Sequence, residues 1–238
     1  MRKEILVIIP TLNENENIEF LFNIIIKRFK LPILFVDDNS NDGTRDIILE
    51  LEKKNKLVNY IFRKQRYGIG SAHKEGLNWA FKKKFKICIT MDADRTHDPL
   101  EIKKLLRSLK QHKADLITTT RFTKKSSLSD WPTLRKYLTK FRFYLVKIIL
   151  NTKFDSSGSF RCYNLKKIKK SHFDYVDHDG YFFFIESLFY FEKLNYNIVE
   201  ISTNYKYRFA GQSKMRVMDI LSAFYNLFKL SINNKLKP

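Results

Sequence analysis

The sequence is poor in several residue types, and each shortage excludes a class of protein. Two cysteines, Cys88 and Cys162, occur in 238 residues. They lie far apart, so the sequence shows no spacing typical of a metal site or a redox pair. The 7 glycines and 5 prolines, beside 44% hydrophobic residues, argue against a disordered chain. We interpret the cysteines as structural thiols in a reducing compartment.

Long apolar runs are also missing. A membrane-spanning helix needs about 20 apolar residues, and the nearest stretch, Tyr181–Leu194, is interrupted by Glu186, Glu192 and Lys193. The N-terminus is basic and then apolar, but its apolar part is too short for a signal peptide and is typical of a first buried strand. We therefore expect a soluble chain with no span, forming a single domain over residues 1–238.

Acidic residues are scarce relative to basic ones. Asp and Glu number 25 against 45 Lys and Arg, which gives a net charge of +20. A charge of this size concerns partners and not fold, and it suits nucleic acid, an anionic membrane surface or phosphorylated substrates. The alternative is a compositional bias, since Lys, Ile, Asn and Phe are all abundant.

Short apolar runs alternate with amphipathic ones in residues 1–120. We predict strands at Ile5–Ile9, Ile33–Val36, Leu57–Phe62, Ile87–Thr90 and Asp115–Thr119, with helices at Glu16–Arg28, Thr44–Lys53, Ser71–Phe81 and Pro99–Leu109. This alternation predicts an α/β fold with a Rossmann-like, mostly parallel sheet flanked by helices. Ligands of such sheets bind beyond the carboxyl ends of the strands, where the polar loops of this chain fall.

Residues 121–238 have a different character. We predict helices at Trp131–Leu150, Tyr181–Leu194 and Val217–Ile232, a strand at Asn197–Ser202 and a loop at Asp155–Tyr163. The last helix is expected to be amphipathic. Arg135, Thr139 and Arg142 share one face of the first helix at helical spacing.

An aspartate pair, Asp92 and Asp94, follows the fourth predicted strand. Side chains two residues apart at a strand end point the same way, and two such carboxylates repel each other unless a cation lies between them. Magnesium suits the pair, because it takes one or two carboxylates together with substrate phosphates. The alternative is two solvated aspartates at the start of a loop. We interpret His97 as a local hydrogen-bonding or packing residue.

Three further loops carry candidate residues. Asp38, in VDDNSNDGT, can accept hydrogen bonds from a ribose or a base, although the same loop also reads as a turn and a helix start. Glu14, after Pro10, lies at the mouth of the sheet. Arg63 and Gly68 belong to RKQRYGIGS, where cations and glycines precede a helix, an environment that suits phosphate; the alternative is a simple turn.

These motifs together resemble the family 2 glycosyltransferases, and within them the dolichol-phosphate mannosyltransferase group and its bacterial polyprenyl-phosphate relatives. The matching stretches run in the family's order over roughly residues 4–215 and are VIIPTLNENENI, VDDNSNDGT, RYGIGSAHKEGL, MDADRTHDP, TTRF, SFRCY, GYFFFIE and RFAGQSK. The resemblance implies the glycosyltransferase A fold, a nucleotide-sugar donor, usually GDP-mannose, and a lipid-phosphate acceptor.

The resemblance also implies residue roles. Residues 1–120 would form the donor half and residues 121–238 the acceptor half with the C-terminal helices. The donor nucleotide contacts are then Pro10, Glu14, Asp38 and Asp92, with Arg63 and Gly68 beside them. Mg2+ or Mn2+ would bind Asp92 and Asp94, with Thr96 as a third ligand where Gln or Ser is usual. Arg121, Arg135 and Thr139 would handle the acceptor phosphate. Arg208 and Lys214 would close over the donor diphosphate, and with Asp94, Arg121 and Arg135 they form the catalytic set.

The sequence offers no strong catalytic base. His97 and Glu186 are the candidates, and neither has a defined partner in the sequence. A sugar hydroxyl acceptor needs a base, whereas a phosphomonoester has a second pKa of about 6 and is mostly dianionic at neutral pH. We therefore expect inverting transfer to a dolichol or polyprenyl phosphate. The alternatives are another donor such as UDP-glucose, a hydroxyl acceptor, or a basic protein that binds nucleic acid or membrane without catalysis.

The expected location follows from the lipid acceptor. Basic residues near an anionic leaflet contribute about 1 kcal/mol each, and the helices at Trp131–Leu150 and Val217–Ile232 either lie at the membrane interface or pack as ordinary core helices. We expect a peripheral protein on the cytoplasmic face of a membrane, with a small membrane-anchor protein as a plausible partner. Nucleic acid is not expected as a partner, because the ordered acidic loops would repel it.

Overall fold

The computed structural model describes residues 4–122, 133–204 and 217–232, without the side chains of residues 134, 135 and 217–221. The strands are β1 (Ile5–Thr11), β2 (Ile33–Asp37), β3 (Val58–Phe62), β4 (Ile87–Thr90), β5 (Leu116–Thr120), β6 (Arg161–Asn164) and β7 (Ile198–Ser202). The helices are α1 (Asn15–Ile24), α2 (Thr44–Lys54), α3 (Ile69–Lys82), α4 (Ile102–Gln111), α5 (Thr133–Leu150), α6 (Phe183–Lys193) and α7 (Val217–Ile232). A π-helical turn, Ile25–Phe29, extends α1 to the predicted end of that helix.

The seven strands form one sheet in the order β3-β2-β1-β4-β6-β5-β7. Strand β1 pairs in parallel with β2 and β4, β2 with β3, and β5 with β7. Strand β6 runs antiparallel to both of its neighbours. The predicted mostly parallel sheet flanked by helices is therefore confirmed.

The prediction of a loop over Asp155–Tyr163 was wrong at its C-terminal end. The four-residue strand β6 lies between β4 and β5, with Ile89 opposite Cys162 and Thr118 opposite Arg161. Its sequence is too short to show a period, and the serines before it favour a loop. The strand forms because the gap between β4 and β5 offers ladder partners on both of its edges, a tertiary effect that local propensity cannot reveal.

Helices cover both faces of the sheet. Along β1, Val7 and Ile9 join the core beneath α1, α2 and α4, whereas Leu6 and Ile8 join the core beneath α3 and α6. Alternate side chains of a strand point to opposite faces, so β1 supplies both cores, and its residues from Leu6 to Ile9 are buried.

Helices α5, α6 and α7 share a third apolar core, to which Val146, Phe183 and Leu227 contribute. Helix α7 is present as predicted, but its amphipathic character is not confirmed, because Phe224, Tyr225 and other apolar residues also lie on its exposed side. None of the helices in the three described stretches combines the length and apolar composition needed to cross a membrane.

Candidate active site

A cleft of about 550 Å³ lies at the carboxyl ends of β1, β2 and β4, the edge at which a parallel sheet binds its ligands. Its lining residues come from five loops and one helix start and are Pro10, Thr11, Leu12, Glu14, Asp38, Arg66, Tyr67, Gly68, Ile69, Ala72, Asp92, Ala93, Asp94, Gly180 and Tyr181. Six residues predicted to bind the donor or the metal therefore meet in one cleft.

The loops after β1, β2 and β4 turn sharply, and each contains one non-glycine residue in the left-handed region. These are Asn13 at φ 54°, Asn39 at φ 69° and Arg95 at φ 59°. Asparagine tolerates this region, whereas arginine there costs about 1 kcal/mol or more. Arg95 is held by a hydrogen bond of 2.6 Å to the carbonyl of Glu16 and by its position over the Phe20 ring.

The neighbouring aspartates of the β2 loop have different environments. Asp37 is fully buried and accepts hydrogen bonds from Thr11 and Arg45, so it joins strands and loops inside the protein. Asp38 lines the cleft and accepts from the backbone amides of Tyr67 and Gly68, both at 2.8 Å. Asp38 therefore holds the backbone of Tyr67 and Gly68 in place and also faces the cleft.

Arg63 lies behind Asp38 and is 6% exposed. Its guanidinium donates to Oδ1 of Asp38 at 2.9 Å, and its Nε lies 3.2 Å from Oε2 of Glu75. The Arg63 guanidinium is therefore paired with carboxylates of the protein itself. A direct contact of Arg63 with a donor phosphate stays a prediction; in the structure Arg63 supports Asp38, which lines the cleft.

The glycines of this motif accommodate protein backbone. A Cβ at Gly68 would lie 2.6 Å from the carbonyl oxygen of Asp179, and one at Gly70 would lie 2.5 Å from Cβ of Phe183. The amide of Ser71 in the first turn of α3 donates to the carbonyl of Asp179 at 2.9 Å. The segment 176–182 therefore packs on the start of α3 and brings Gly180 to the cleft.

Hydrogen bonds with Thr96 and His97 support the aspartate pair, Asp92 and Asp94. Thr96 donates to Oδ1 of Asp94 through its amide at 3.1 Å and its hydroxyl at 2.6 Å. The amide of Asp92 donates to Nδ1 of His97 at 3.1 Å, and the His97 ring stacks on Phe160. Burial, with the charge of Arg121 as a smaller cause and Asp94 opposing, lowers the pKa of His97 to about 4. His97 is thus a neutral packing residue, as expected.

The donor set fits Mg2+ or Mn2+. No group of three His, Cys, Asp or Glu side chains in the described stretches is arranged to hold a metal. Asp92 and Asp94 nevertheless both face the cleft, and such ions commonly bind through one or two carboxylates with phosphates and water. Thr96 already donates to Asp94, so its hydroxyl orients that carboxylate whether or not it also contacts the ion.

Arg121 lies beside this site, after β5. Its Nε lies 3.8 Å from Oδ2 of Asp155, and its charge contributes to the lowered pKa of His97. Thr139 is partly buried on α5, on which Arg135 also lies, although the side chain of Arg135 is outside the description. Arg208 and Lys214 lie outside the described residues.

Sequence reasoning missed some cleft residues. Tyr181 and Gly180 line the cleft, whereas in their motif, GYFFFIE, the sequence suggested a chemical role only for Glu186. Arg66 and Tyr67 also line it, and only their neighbours in the same motif were assigned. Asp155 is 1% exposed beside Arg121, in a stretch expected to be a loop.

Comparison with known proteins identifies the chain. The profile of glycosyl transferase family 2 matches residues 6–172, which is more than half of the sequence. The chain belongs to this family. It is a glycosyltransferase, and its sheet and flanking helices form the glycosyltransferase A fold.

Two curated relatives of this family 2 glycosyltransferase match over most of its length. Polyprenol monophosphomannose synthase of Mycolicibacterium smegmatis is 29% identical over 234 residues, which cover 97% of this chain and 88% of the relative. Undecaprenyl-phosphate mannosyltransferase of Micrococcus luteus is 29% identical over 215 residues, covering 89% and 87%.

A solved structure supports the fold. Glucosyl-3-phosphoglycerate synthase from Mycobacterium tuberculosis, in complex with Mn2+, UDP and phosphoglyceric acid, matches with a TM-score of 0.62 and 18% identity. The match covers 98% of this chain and 78% of that one.

Proposed function

We propose that this glycosyltransferase moves mannose from GDP-mannose to the phosphate of a dolichol or another polyprenyl phosphate. The acceptor oxygen attacks the anomeric carbon, the bond to the donor phosphate breaks, and the configuration inverts. Both curated relatives are named for mannose transfer to a polyprenol carrier, and the cleft has the carboxylates that a metal-bound diphosphate requires.

The observation that carries the phosphate acceptor is the state of the two candidate bases. Nδ1 of His97 accepts the amide hydrogen of Asp92, and its pKa is lowered to about 4. Oε2 of Glu186, which is 3% exposed, contacts Nδ1 of His178 at 2.9 Å. Nδ1 of His97 and Oε2 of Glu186 therefore already contact other groups of the protein. A hydroxyl acceptor needs a base to remove its proton, whereas a phosphomonoester dianion needs none.

The residues around the cleft divide the remaining work. Asp92 and Asp94 would hold Mg2+ or Mn2+, which would neutralise the charge that develops on the leaving diphosphate. Pro10, Glu14 and Asp38 would hold the nucleotide. Arg121, with Arg135 and Thr139 of α5, would aim the acceptor phosphate, and Arg208 and Lys214 would add charge over the diphosphate. A preorganised donor of this kind contributes about 3 kcal/mol to the transition state.

A membrane surface for the lipid acceptor is proposed on the paired helices α5 and α7, which we call the α5–α7 surface. Its exposed apolar side chains are Tyr137, Leu138, Phe141, Tyr144, Ile148, Phe224, Tyr225, Phe228 and Ile232. Exposed lysines, including Lys140, Lys147 and Lys229, lie on the same helices. Aromatic groups with lysines suit an anionic leaflet, where the rings enter the headgroup region and the ammonium groups meet lipid phosphates.

A donor and acceptor screen tests the function. The purified chain would be incubated with Mg2+ or Mn2+ and radiolabelled GDP-mannose or UDP-glucose, each with a polyprenyl phosphate or a free sugar. We expect a lipid-phosphate mannoside of inverted configuration by NMR, and no product in EDTA. Transfer to the hydroxyl acceptor alone would overturn the phosphate acceptor, and transfer from UDP-glucose alone would overturn the donor.

A further inference from the structure

Two arginines from distant parts of the chain converge on one buried carboxylate. Nε of Arg121 lies 3.8 Å from Oδ2 of Asp155, whose side chain is 1% exposed. Arg142, on α5, donates to Oγ of Ser157 at 3.0 Å, and that hydroxyl donates to Oδ1 of Asp155 at 2.8 Å. One guanidinium thus faces the carboxylate directly, and the other reaches it through a hydroxyl.

The two guanidiniums interact with each other. Burial, with the positive charge of Arg121 as a smaller cause and Asp155 opposing, lowers the pKa of Arg142 to about 10. Arg121 also acts on His97 beside the aspartate pair. The charge of Arg121 therefore acts on two groups, His97 in the aspartate loop and Arg142 on α5.

The segment that carries Arg121 is also fixed to α5 by packing. The rings of Phe122 and Phe143 lie with their centroids 4.2 Å apart, so the residues that follow Arg121 and Arg142 are in contact. Arg121 and Arg142 therefore lie on segments that pack directly against each other.

The separation of Arg121 from Asp155 is long for an ion pair. A charge-assisted N–H···O bond measures about 2.7–2.9 Å. Oδ1 of Asp155 instead accepts from the amide and hydroxyl of Ser157, and Oδ2 lies 3.4 Å from the Thr120 hydroxyl. Arg142 reaches the same carboxylate through the Ser157 hydroxyl, and its positive charge repels that of Arg121. Without Arg142, a carboxylate this deeply buried would draw Arg121 into a closed pair.

Glu200 is a further charged residue beside Asp155. The amide of Asp155 donates to Oε1 of Glu200, and burial raises the pKa of that carboxyl while Lys147 opposes the rise. Among the described residues, Lys147 and Glu200 therefore add charges of opposite sign near Asp155.

We propose that Arg142 is a positioning residue that holds Arg121 short of a closed ion pair with Asp155 and so directs the charge of Arg121 to the acceptor phosphate. This inference rests on the proposed function, because it requires a phosphate acceptor. Arg142 does not touch the reacting atoms in this account; it acts through Ser157, Asp155 and Arg121.

Steady-state kinetics of Arg142→Met test the proposal. We expect the KM for polyprenyl phosphate to rise about tenfold or more, since a small misplacement of a substrate-aiming group has effects of this size, while the KM for GDP-mannose stays unchanged. Arg142→Lys keeps the charge and should recover most of the acceptor affinity. Arg107→Met, at an exposed arginine of α4, is the matched control and should change neither constant.

A second substitution separates positioning from folding. In the double variant Arg142→Met with Asp155→Asn, the carboxylate that would capture Arg121 is gone, whereas the amide oxygen still accepts from Ser157. We expect the acceptor KM to return toward the wild-type value. A purely structural role for Arg142 predicts the reverse, because a second buried polar change would lower the melting temperature and the activity further.

The outcomes distinguish the two proposals. If the wild-type chain transfers nothing to any polyprenyl phosphate, the proposed function fails, and the inference falls with it. If the wild-type chain is active and folded Arg142→Met keeps its acceptor KM, the inference alone is overturned. An active single variant whose defect is not relieved by Asp155→Asn also overturns it.

Discussion

The hydroxyl of Thr96 donates a hydrogen bond of 2.6 Å to Oδ1 of Asp94, and the amide of the same threonine donates to the same oxygen. Thr96 therefore orients one of the two carboxylates proposed to hold the metal. This relationship gives the residue a role that does not depend on direct coordination of the ion.

Thr96→Val should weaken metal use without unfolding the loop. The substitution keeps the shape of the side chain but removes the hydroxyl, and loss of a group that orients a ligand typically costs about 10–100-fold in metal affinity. The readout is the Mn2+ concentration that gives half-maximal transfer, with Mn2+ binding followed by EPR. Thr96→Ser restores the hydroxyl and should restore the affinity. An unchanged Mn2+ requirement in Thr96→Val would contradict this role.

Gly70→Ala should destabilise the protein and distort the cleft. The added Cβ would lie 2.5 Å from Cβ of Phe183 and 2.7 Å from the carbonyl of Gly180. The segment 176–182 must then shift, and overpacking of this kind costs about 1–3 kcal/mol. We expect a lower melting temperature and a raised donor KM, since Gly180 and Tyr181 line the cleft.

Gly180→Ala is the matched control for this prediction. A Cβ at Gly180 would meet no atom within 4 Å, so the melting temperature should stay close to that of the wild-type chain. Equal melting temperatures for Gly70→Ala and Gly180→Ala would mean that the segment moves aside at no cost.

His73 should make the protein sensitive to acid. It is fully buried between Phe183 and Phe184, and neither ring nitrogen has a hydrogen-bond partner in the described part of the chain. Burial, assisted by the charge of Arg161, lowers its pKa from 6.5 to about 3. The unfolded chain therefore binds a proton that the folded chain rejects between these values. Stability is fully present above pH 6.5 and falls as the pH drops toward 3.

His73→Leu tests this dependence. At pH 5 the native histidine should cost about 2 kcal/mol relative to pH 8, from the difference between the two pKa values. The variant should lose that part of the slope, while at pH 7.5 its free energy of unfolding should match or exceed the wild-type value, because a buried polar group without partners is removed. Urea unfolding from pH 8 to pH 5 measures both. Parallel pH profiles for the two chains would contradict the prediction.

Most of the parallel sheet followed from periodicity, and its cleft followed from the position of the polar loops. Strand β1 has five successive apolar residues, Ile5–Ile9. Asp38 lies two residues after the shorter apolar run Ile33–Val36, and Asp92 follows a largely apolar stretch, residues 87–91. The carboxyl ends of parallel strands meet at one edge. Pattern and topology therefore suffice to bring these two residues to the same cleft.

The contacts that shape the cleft were not predictable in this way. The approach of Asp179 to Gly68 joins residues more than a hundred positions apart, and no local pattern encodes which backbone fills the space above a glycine. The motif RKQRYGIGS indicated a phosphate-binding environment, because its cations and glycines precede a helix. In the structure Arg63 is paired with Asp38 and Glu75, a preference that depends on tertiary neighbours.

Strand β6 and Asp155 show the same limit. Arg161 is fully buried and donates to the carbonyls of Ser156, Gly158 and Phe184. In a sequence, a buried arginine that organises a loop cannot be told from an arginine on the surface. The sequence alone therefore gave no reason to place residues 155–160 beside Arg121.

The α5–α7 surface should bind anionic membranes. Phe141 and Ile148 are 59% and 78% exposed on α5, and they lie seven residues apart, which places them on one face of the helix. Phe141→Ser combined with Ile148→Ser should lower binding to vesicles of anionic phospholipid by about tenfold or more, since burying one such side chain contributes about 1.5–3 kcal/mol. High salt should weaken binding of the unaltered chain as well, because the lysines act electrostatically.

Vesicle flotation with purified protein measures this binding, and Tyr60→Ser is the control, since Tyr60 is an exposed aromatic residue on β3 at the opposite end of the sheet order from β7. The control should float like the unaltered chain. Floating of the double variant to the same extent would exclude this surface as the contact. If the unaltered chain does not float at all, the aromatic and basic groups on α5 and α7 lack the membrane affinity assigned to them, and binding by this surface is contradicted. Recruitment to the membrane would then have to come from a separate membrane-anchor protein.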